Sequence, residues 1–568
     1  MPAAHPSSFR QLPSCARSRA GPAAPDAGRH AVPPATHPLP PAVPLRSLTR
    51  TLALAAWLLG AAGAGAARAQ ERTTAADRAS AFLPAQHWAL RAVRRVVALG
   101  LTDQRSGWDD GTLSRLAAGE MLRAAVAAAP ARRPEAEPLA RGYWRRFREE
   151  FPRTAADLDG RDGGRSLGGE GAVALGVEST HDEAATGAAD WVLHGGGGPV
   201  ARRPSAGVSV GGRWSARPIA HTAVDVSAVR SPDYSGWRRS EAHAVASLDR
   251  ASVWFGRRAP RYGPGAGGGV LLSGVVPMTG GGAVVEPFRM PWLLRRLGET
   301  RVEAALFALD SSGPVRRPWL TASHVSFSPH PRLLLGLSHT AMFGGEGQPP
   351  FTLRNFTAMY LYARTLRITH QEFENQIVSG EIRYRPPLGR LPVSLYLEWG
   401  SEDNRSAWWD APGIIVGGEL AALPGLPSVS VGVEHAYFAG PCHPCGHDNE
   451  FLGTEWYRHY IFKGGWTQES TPLGHPLGGN GREFLLYAAF DDPDARLRAQ
   501  GRLLFRDRGR VNLFSPERFG REAGAGVTAA WRARPRLEVT ADGTYLRGLR
   551  ELSAWNQLDA QTALRFLF

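Results

Sequence analysis

Residues 392–403 read PVSLYLEWGSED, a stretch in which apolar and polar side chains largely alternate. Successive side chains of a strand point to opposite faces, so this pattern predicts a β-strand with one apolar face. Similar alternation occurs in SVSVGVEHAYF (428–438), EFLLYAAF (483–490) and RPRLEVTADGTYL (534–546), with turn signals between the segments. The sequence therefore predicts mainly β structure in this part of the chain.

The number of such strands decides between a soluble and a membrane protein. They continue over residues 166–568, about 400 residues without helical interruption, which is unusual for one soluble all-β core. A water-soluble sandwich could also alternate, but an outer-membrane barrel requires many ~10-residue alternating strands that close on themselves. At roughly 20 to 25 residues per strand and connection, the region holds about 16 to 20 strands. We therefore predict a closed transmembrane antiparallel β-barrel of about 18 strands.

The C-terminal residues ALRFLF (563–568) agree with this prediction. In a closed barrel the last strand pairs with the first, so we expect Leu564, Phe566 and Phe568 to face lipid. The terminal aromatic also resembles the signal by which outer-membrane barrels are recognised for insertion. Tryptophans near predicted strand ends are expected to form an aromatic belt at the membrane interfaces: Trp254, Trp292, Trp319, Trp399, Trp408, Trp409, Trp456 and Trp466.

The N-terminal residues 1–69 have the features of an exported leader. Residues 46–70, RSLTRTLALAAWLLGAAGAGAARAQ, place arginines before an apolar run and small residues after it, which predicts a signal peptide cleaved after Ala69. A membrane anchor is the alternative, but the apolar run is shorter than the ~20 residues that a spanning helix needs. The Pro- and Ala-rich residues before this signal are expected to be disordered. The signal peptide and the predicted barrel together predict that the protein lies in the outer membrane of a Gram-negative-type bacterium.

Residues 70–165 have a helical period and predict an N-terminal periplasmic helical bundle. Helices are expected over 85–101, where Gly100 stops the first one, over 113–128 and over 137–151. The third has an apolar stripe at four-residue spacing: Leu139, Tyr143, Phe147 and Phe151.

A cysteine pair lies in PCHPCGHDNE, residues 441–450. In an exported protein, Cys442 and Cys445 favour a local disulfide. The alternative is a metal cluster with His443 and His447, but these residues lack the usual separation between ligand pairs.

One stretch, WFGRRAPRYGPGAGGGVLLSGVVP at residues 254–277, resembles the Wzi capsule-assembly family of outer-membrane proteins. The shared features are an aromatic-Gly-Pro-Gly turn that begins at Tyr262, a Leu-Leu-Ser strand and Pro277. Tyr262 stands where the family tends to have Trp. Further resembling segments follow in the family's order: 291–307, 323–349, 375–387, 395–403 and 457–481. The resemblance implies a barrel of about eighteen strands with a periplasmic helical bundle, and a non-enzymatic, lectin-like protein that binds exported capsular polysaccharide and organises it at the cell surface.

Two groups of residues are candidates for polysaccharide binding. The first group consists of Tyr262 and three arginines beside it, Arg257, Arg258 and Arg261. Each arginine could bind a carboxylate or phosphate through two hydrogen bonds, or could simply fill a polar lumen. The second group offers aromatic faces and carboxylates to a sugar, although its tryptophans could equally belong to the interfacial belt: Glu346, Trp408, Trp409 and Asp410.

Enzymatic and channel functions are the alternatives. Paired carboxylates can hydrolyse glycosides, and the candidates are Glu346, Glu381, Glu398, Glu402 and Asp403. The sequence offers no nucleophile elbow and no histidine pair with metal spacing, and GPGAGGG lacks the Gly-Lys-Ser/Thr of a phosphate loop. We therefore expect no catalytic residue, cofactor or metal, and keep a porin-type diffusion channel as the main alternative.

The expected partners follow from these predictions. They are capsular polysaccharide or exopolysaccharide, and outer-membrane lipid. The His87-Trp88 opening of the first helix also resembles an S-layer-homology repeat, which makes peptidoglycan an alternative partner of the helices. The net charge of +14 comes almost wholly from arginine, a skew typical of codon bias, so we expect no nucleic-acid partner. We expect a monomer.

Overall fold

A computed structural model describes most of the chain from residue 79 onward. The described residues are 79–85, 87–103, 113–161, 166–182, 205–219, 221–230, 238–248, 251–310, 315–348, 352–360, 373–402, 412–438, 456–469, 471–509, 511–514, 520–548 and 555–568. Among them, no helix has both the length and the apolar character needed to cross a membrane.

Helices dominate the described residues before 162. The α-helices are α1 Trp88–Ala98, α2 Arg115–Arg132, α3 Glu137–Glu150, α4 Pro152–Leu158 and, much later, α5 Leu353–Tyr360, with 3-10 turns at Pro134–Ala136 and Trp292–Leu297. Helix α1 ends as predicted, because Gly100 adopts φ +78° and the amide of Leu101 donates to the carbonyl of Val96 in a Schellman motif. Helix α2 begins at the cap Ser114, whose Oγ accepts from the amide of Ala117, and continues beyond the predicted end. The stripe predicted on α3 is buried.

Strands form the rest of the described chain. Their bounds are β1 Ser166–Asp182, β2 Ser205–Ile219, β3 Thr222–Arg230, β4 Arg238–Leu248, β5 Ala251–Arg258, β6 Arg261–Tyr262, β7 Leu272–Ser273, β8 Met278–Arg289, β9 Glu299–Ala308, β10 Trp319–His330, β11 Leu333–Phe343, β12 Glu374–Tyr384, β13 Val393–Glu402, β14 Gly413–Leu420, β15 Val429–Tyr437, β16 Thr467–Gln468, β17 Thr471–Pro472, β18 Gly481–Asp491, β19 Leu497–Arg508, β20 Gly520–Arg534, β21 Leu537–Gly548 and β22 Trp555–Leu567. Eighteen of them form one antiparallel sheet, while β6–β7 and β16–β17 are separate two-stranded ladders. The predicted closed barrel is confirmed.

The barrel closes where β1 pairs with β22. Val173 lies opposite Phe566 and Leu175 opposite Leu564, and the amide of Phe568 donates to the carbonyl of Gly171. The side chains of Leu564, Phe566 and Phe568 are exposed on the outer surface, next to exposed apolar residues of β1. The prediction that the last strand pairs with the first and turns its apolar face outward is therefore confirmed.

The tryptophan prediction is wrong for three residues. Trp254, Trp456 and Trp466 are buried, and the indole N–H of Trp466 donates to the carbonyl of Leu271 at 3.0 Å. Trp254 belongs to the core cluster inside the barrel, and the other two lie on a segment that folds into the lumen. Proximity to a strand end thus did not distinguish a lipid-facing ring from a lumenal one.

The two ends of the barrel differ. Short connections lie at one end, called here the turn end, for example at 331–332, 492–496 and 535–536, and Phe568 lies there too. The N-terminal helices pack at this end: the guanidinium of Arg133 donates to the carbonyl of Arg390, and that of Arg95 to the carbonyl of Pro427, both at 2.8 Å. The opposite end, the loop end, carries long connections that include 344–373 and 403–412.

Candidate functional site

Two segments fold from the loop end into the lumen and fill it. Inner segment A is residues 259–277, and inner segment B is residues 456–480. Their core side chains are almost fully buried: Tyr262, Val270, Leu271, Trp466, His475 and Leu477. The hydroxyl of Tyr457 donates to the carbonyl of Val270 at 2.5 Å, and that of Ser273 to the carbonyl of Gly474 at 2.7 Å. The two segments therefore pack on each other as one unit.

Carboxylates of the barrel wall hold these segments through backbone amides. Glu398 accepts from the amide of Val270 at 3.1 Å, and Glu402 accepts from that of Tyr457 at 2.8 Å. Glu434 accepts from the amide of Gly267 at 2.9 Å. Hydrogen bonds from amides to a buried carboxylate are strong because the acceptor is charged. Of the carboxylates considered for glycoside hydrolysis, Glu398 and Glu402 thus have structural partners.

Glycines allow segment A to approach the wall this closely. Gly263 has φ +102°, and a Cβ built there would lie 2.2 Å from Oε2 of Glu398. A Cβ on Gly269 would lie 1.9 Å from the carbonyl oxygen of Tyr262. The run GPGAGGG therefore forms a tight turn close to the barrel wall and opens no helix.

Of the three arginines singled out from the sequence, Arg258 and Arg261 are buried inside the barrel and Arg257 is half-buried. The guanidinium of Arg258 is buried and sits 4.1 Å from the ring centre of Phe82 and 5.1 Å from that of Trp254. Arg257 is paired with Glu469 at 2.5 Å. This geometry agrees with the lumen-filling interpretation for Arg258.

The remaining described candidates divide between the interior and the surface. Arg261 is buried and donates to the carbonyl of Gly265, and the buried ring of Tyr262 stacks on His324 with a centroid distance of 5.2 Å. Glu346 is exposed at the loop end, where its amide donates at 2.8 Å to the carbonyl of Arg316 in the connection between β9 and β10. The structure therefore does not bring Glu346 together with the arginines.

Several predicted residues lie outside the described part of the chain. These are Trp408, Trp409, Asp410, Asp403, Cys442 and Cys445. Their predicted roles in sugar binding and in a disulfide stay predictions. The sequence places them in connections that leave strands β13 and β15 at the loop end.

A buried cluster that sequence analysis missed joins Glu434, His475 and Glu483. Nε2 of His475 lies 3.9 Å from Oε1 of each carboxylate. Its Nδ1 accepts from the amide of Leu477 at 3.2 Å, so Nε2 carries the hydrogen and points toward the carboxylates. Arg506 pairs with Glu483 at 2.5 Å. A metal ligand would need a lone pair on Nε2, so this tautomer fits a metal site poorly. The three residues are far apart in the sequence, and no local signal connects them.

Ion pairs attach the helical bundle to the barrel wall. Arg95 of α1 pairs with Asp491 of β18 at 2.7 Å, and Arg146 of α3 pairs with Glu538 of β21. Further pairs join helices or their caps to strands on both sides of the β1–β22 seam: Arg115–Asp225, Asp157–Arg217, Glu149–Arg532 and Glu150–Arg565. The bundle is thus held to several strands at once.

Glu150 connects two helical residues with the last strand of the barrel. Its carboxylate accepts from Nε1 of Trp88 at 2.5 Å and from Arg565 at 3.0 Å, and lies 3.2 Å from Nε2 of His87. Burial opposes its charge, but Arg565 and then His87 hold the pKa of Glu150 well below its usual range. Burial lowers the pKa of His87 to about 4, against the attraction of Glu150. The carboxylate is therefore ionised and the imidazole neutral near pH 7.

Comparisons with known proteins bear on this architecture. A family model described as capsule assembly protein Wzi matches residues 182–554. A search of curated protein sequences gave no match. Among solved structures, Wzi of Escherichia coli, described as an outer-membrane protein involved in group 1 capsule assembly and a carbohydrate-binding β-barrel, superposes with a TM-score of 0.64 at 18% identity, covering 84% of this chain and 98% of that one. OpdQ of Pseudomonas aeruginosa gives a TM-score of 0.40 at 9% identity, covering 70% of this chain and 97% of that one.

Proposed function

This chain belongs to the Wzi capsule-assembly family and is an outer-membrane β-barrel, and from that premise we propose that it binds exported capsular polysaccharide or exopolysaccharide and organises it at the cell surface, in the manner of a lectin and without catalysis. The turn end with its helices would face the periplasm, and the loop end would face the outside. Short periplasmic turns and longer outer loops are the rule for such barrels.

The observation that carries the proposal is the filled lumen. Inner segments A and B occupy the interior from the loop end, while the helical bundle is attached at the turn end. A polymer would meet side chains on the outer loops before any open passage, which favours surface binding over transport. Two of the six stretches that resemble the family, 254–277 and 457–481, contain these inner segments, and the other four lie mainly on wall strands β9 to β13.

Sugar contacts would then come from the loop end. Exposed Glu346 is available there, and the connection after β13 contributes Trp408, Trp409 and Asp410. Sugar rings stack on aromatic faces, and carboxylates accept hydrogen bonds from their hydroxyls. Arg258, buried against Phe82 and Trp254, would not contact the polymer.

A binding measurement tests the proposal. The full chain in detergent would be titrated with purified surface polysaccharide from the same organism, next to a Trp408→Ala/Trp409→Ala double variant. Loss of two stacking contacts of about 1 kcal/mol each should weaken binding about tenfold or more. Glu137→Gln at the turn end is the control and should bind like the wild type.

Two outcomes would overturn the proposal. One is unchanged polymer affinity in the double variant together with a Glu346→Gln variant that also binds normally. The other is a chain that does not bind polysaccharide but shows steady ion conductance in planar bilayers, which would favour the porin alternative.

A further inference from the structure

A cavity of about 140 Å³ lies inside the barrel between the bundle and inner segment A. Trp88 and Arg95 of α1 line one side, Pro264 and Ala266 of segment A line another, and strands from β12 to β20 form the wall. A single water needs only about 10 to 15 Å³. The cavity, called here the chamber, therefore has room for one small polyatomic molecule with its waters.

Positive charge dominates the lining of the chamber. Six arginines contribute to it, from α1, β12 and β19: Arg91, Arg94, Arg95, Arg383, Arg498 and Arg502. Only two carboxylates line it, and one of them, Asp491, is already paired with Arg95. The other is Glu419. Behind the lining, Glu381 lies 3.3 Å from Arg383 and Glu538 lies 3.6 Å from Arg498. Charges enclosed away from bulk water interact much more strongly than at a surface, so a lining in which arginines outnumber carboxylates favours an anion.

Arg498 adds an independent observation. Its side chain is buried, with 9% of the residue exposed, and its Nε and Nη1 have no hydrogen-bond partner among the described residues. The nearest carboxylate is Glu538, 3.6 Å from Nη2, and the guanidinium lies 5.8 Å from the ring centre of Trp88. Buried charged donors that lack acceptors are costly. A bound acceptor in the chamber would satisfy them.

The lining also indicates the class of ligand. A guanidinium presents parallel N–H donors that match two oxygens of a phosphate, sulfate or carboxylate. A neutral sugar would offer oxygens but no negative charge to the guanidinium of Arg498. Ser394 and Tyr487 on the wall can add hydroxyl donors to such a ligand. The hydroxyls of Tyr143, Tyr396 and Thr528 already donate to carboxylates.

We propose that the chamber binds one small oxyanion, a phosphate, sulfate or carboxylate group, between helix α1 and inner segment A. The ligand contacts both structures that fill the barrel, so its binding couples the bundle to the inner segment. This site lies inside the barrel and is separate from the polysaccharide surface proposed at the loop end, and neither depends on the other.

Calorimetric titration of the full chain in detergent at low ionic strength tests the proposal. The probes are sodium phosphate, sodium glucuronate and, as the neutral control, glucose. We expect phosphate to bind and glucose to give no signal. Glucuronate binding as tightly as phosphate would indicate that a sugar acid can be the source of the anion, and phosphate binding alone would indicate a free inorganic ion.

Variants identify the residues. Arg498→Gln should weaken phosphate binding at least tenfold, and Arg498→Lys, which keeps the charge but loses the parallel donors, should weaken it less. Arg145→Gln is the matched control, because that arginine pairs with Asp494 on the exposed side of the bundle. Phosphate should also raise the melting temperature of the wild type and not that of Arg498→Gln. Absence of anion binding by the wild type, or equal affinity in Arg498→Gln, would overturn the proposal.

Discussion

Replacing Glu150 with glutamine should loosen the bundle from the barrel without opening the barrel itself. The buried carboxylate bonds to Trp88 and Arg565 and lies 3.2 Å from His87. Glutamine keeps the size of the side chain and removes the charge that Arg565 of the last strand uses. The barrel ladder between β1 and β22 does not involve this side chain.

The magnitude follows from the burial of the pair. Removing one partner of a buried ion pair costs about 3 to 5 kcal/mol. Arg565 retains Glu538 at 3.6 Å and its side chain is 23% exposed, so part of this cost is recovered. We therefore expect about 2 to 3 kcal/mol, which corresponds to a decrease of about 30- to 150-fold in the docking equilibrium.

Hydrogen exchange measures this change directly. Amides of α1 and α3 should exchange about 30- to 150-fold faster in Glu150→Gln, while amides of β10 to β13 keep their protection. Glu137→Gln is the control on the same helix, because its pair with Arg141 is partly exposed and contributes at most about 0.5 kcal/mol. Equal helix protection in wild type and Glu150→Gln would refute the assignment of Glu150 as the central anchor.

Three further predictions follow from the same contacts. The pKa of His87 is lowered to about 4 in the docked bundle, so undocking lets its imidazole take up a proton below its free value of about 6.5. Bundle protection should therefore be complete above about pH 6.5 and should fall by about 3 kcal/mol toward pH 4, and Glu150, whose pKa is also lowered, adds to this loss only below about pH 4.5. Exchange at pH 7 and pH 5, corrected for intrinsic rates, checks this, and a flat profile would contradict it. Gly263→Ala should make inner segment A more sensitive to proteases, because the φ of +102° and a Cβ contact at 2.2 Å cost about 1 to 3 kcal/mol or more. Gly389→Ala is the control: with φ +63° and open space around the Cβ, it should cost only about 1 kcal/mol. Deleting residues 79–161 should leave planar-bilayer conductance low, because the inner segments still fill the lumen; a large open channel after that deletion would show that they do not seal it.

Local patterns in the sequence predicted the wall of the barrel well. The stretch quoted first became β13, Val393–Glu402, with exposed Leu395 outside and buried Glu398 inside. Alternation works here because the side-chain period of a strand is two and the two environments differ sharply. The helices were also readable, because the stripe from Leu139 to Phe151 has the period of a helix.

The interior could not be predicted in the same way. Glu398 accepts from the amide of Val270 and Glu434 from that of Gly267, and each pair is far apart in the chain. No local pattern connects such residues, because backbone amides have the same chemistry at every position. Arg258 illustrates the consequence: its charge suggested a ligand, but the fold places it against Phe82. The resemblance included both inner segments but implied nothing of their place in the lumen or of their contacts.

The seam between the first and last strands also bears on the order of assembly. Residues 172 and 567 are partners, so all the strands between β1 and β22 must be synthesised before this pair can form. The helices emerge early but are held by Arg217 and Asp225 on one side of the seam and by Glu538 and Arg565 on the other. The helices can therefore take up their final position only after the barrel has closed. Once docked, they hold the strands on the two sides of the β1–β22 seam together.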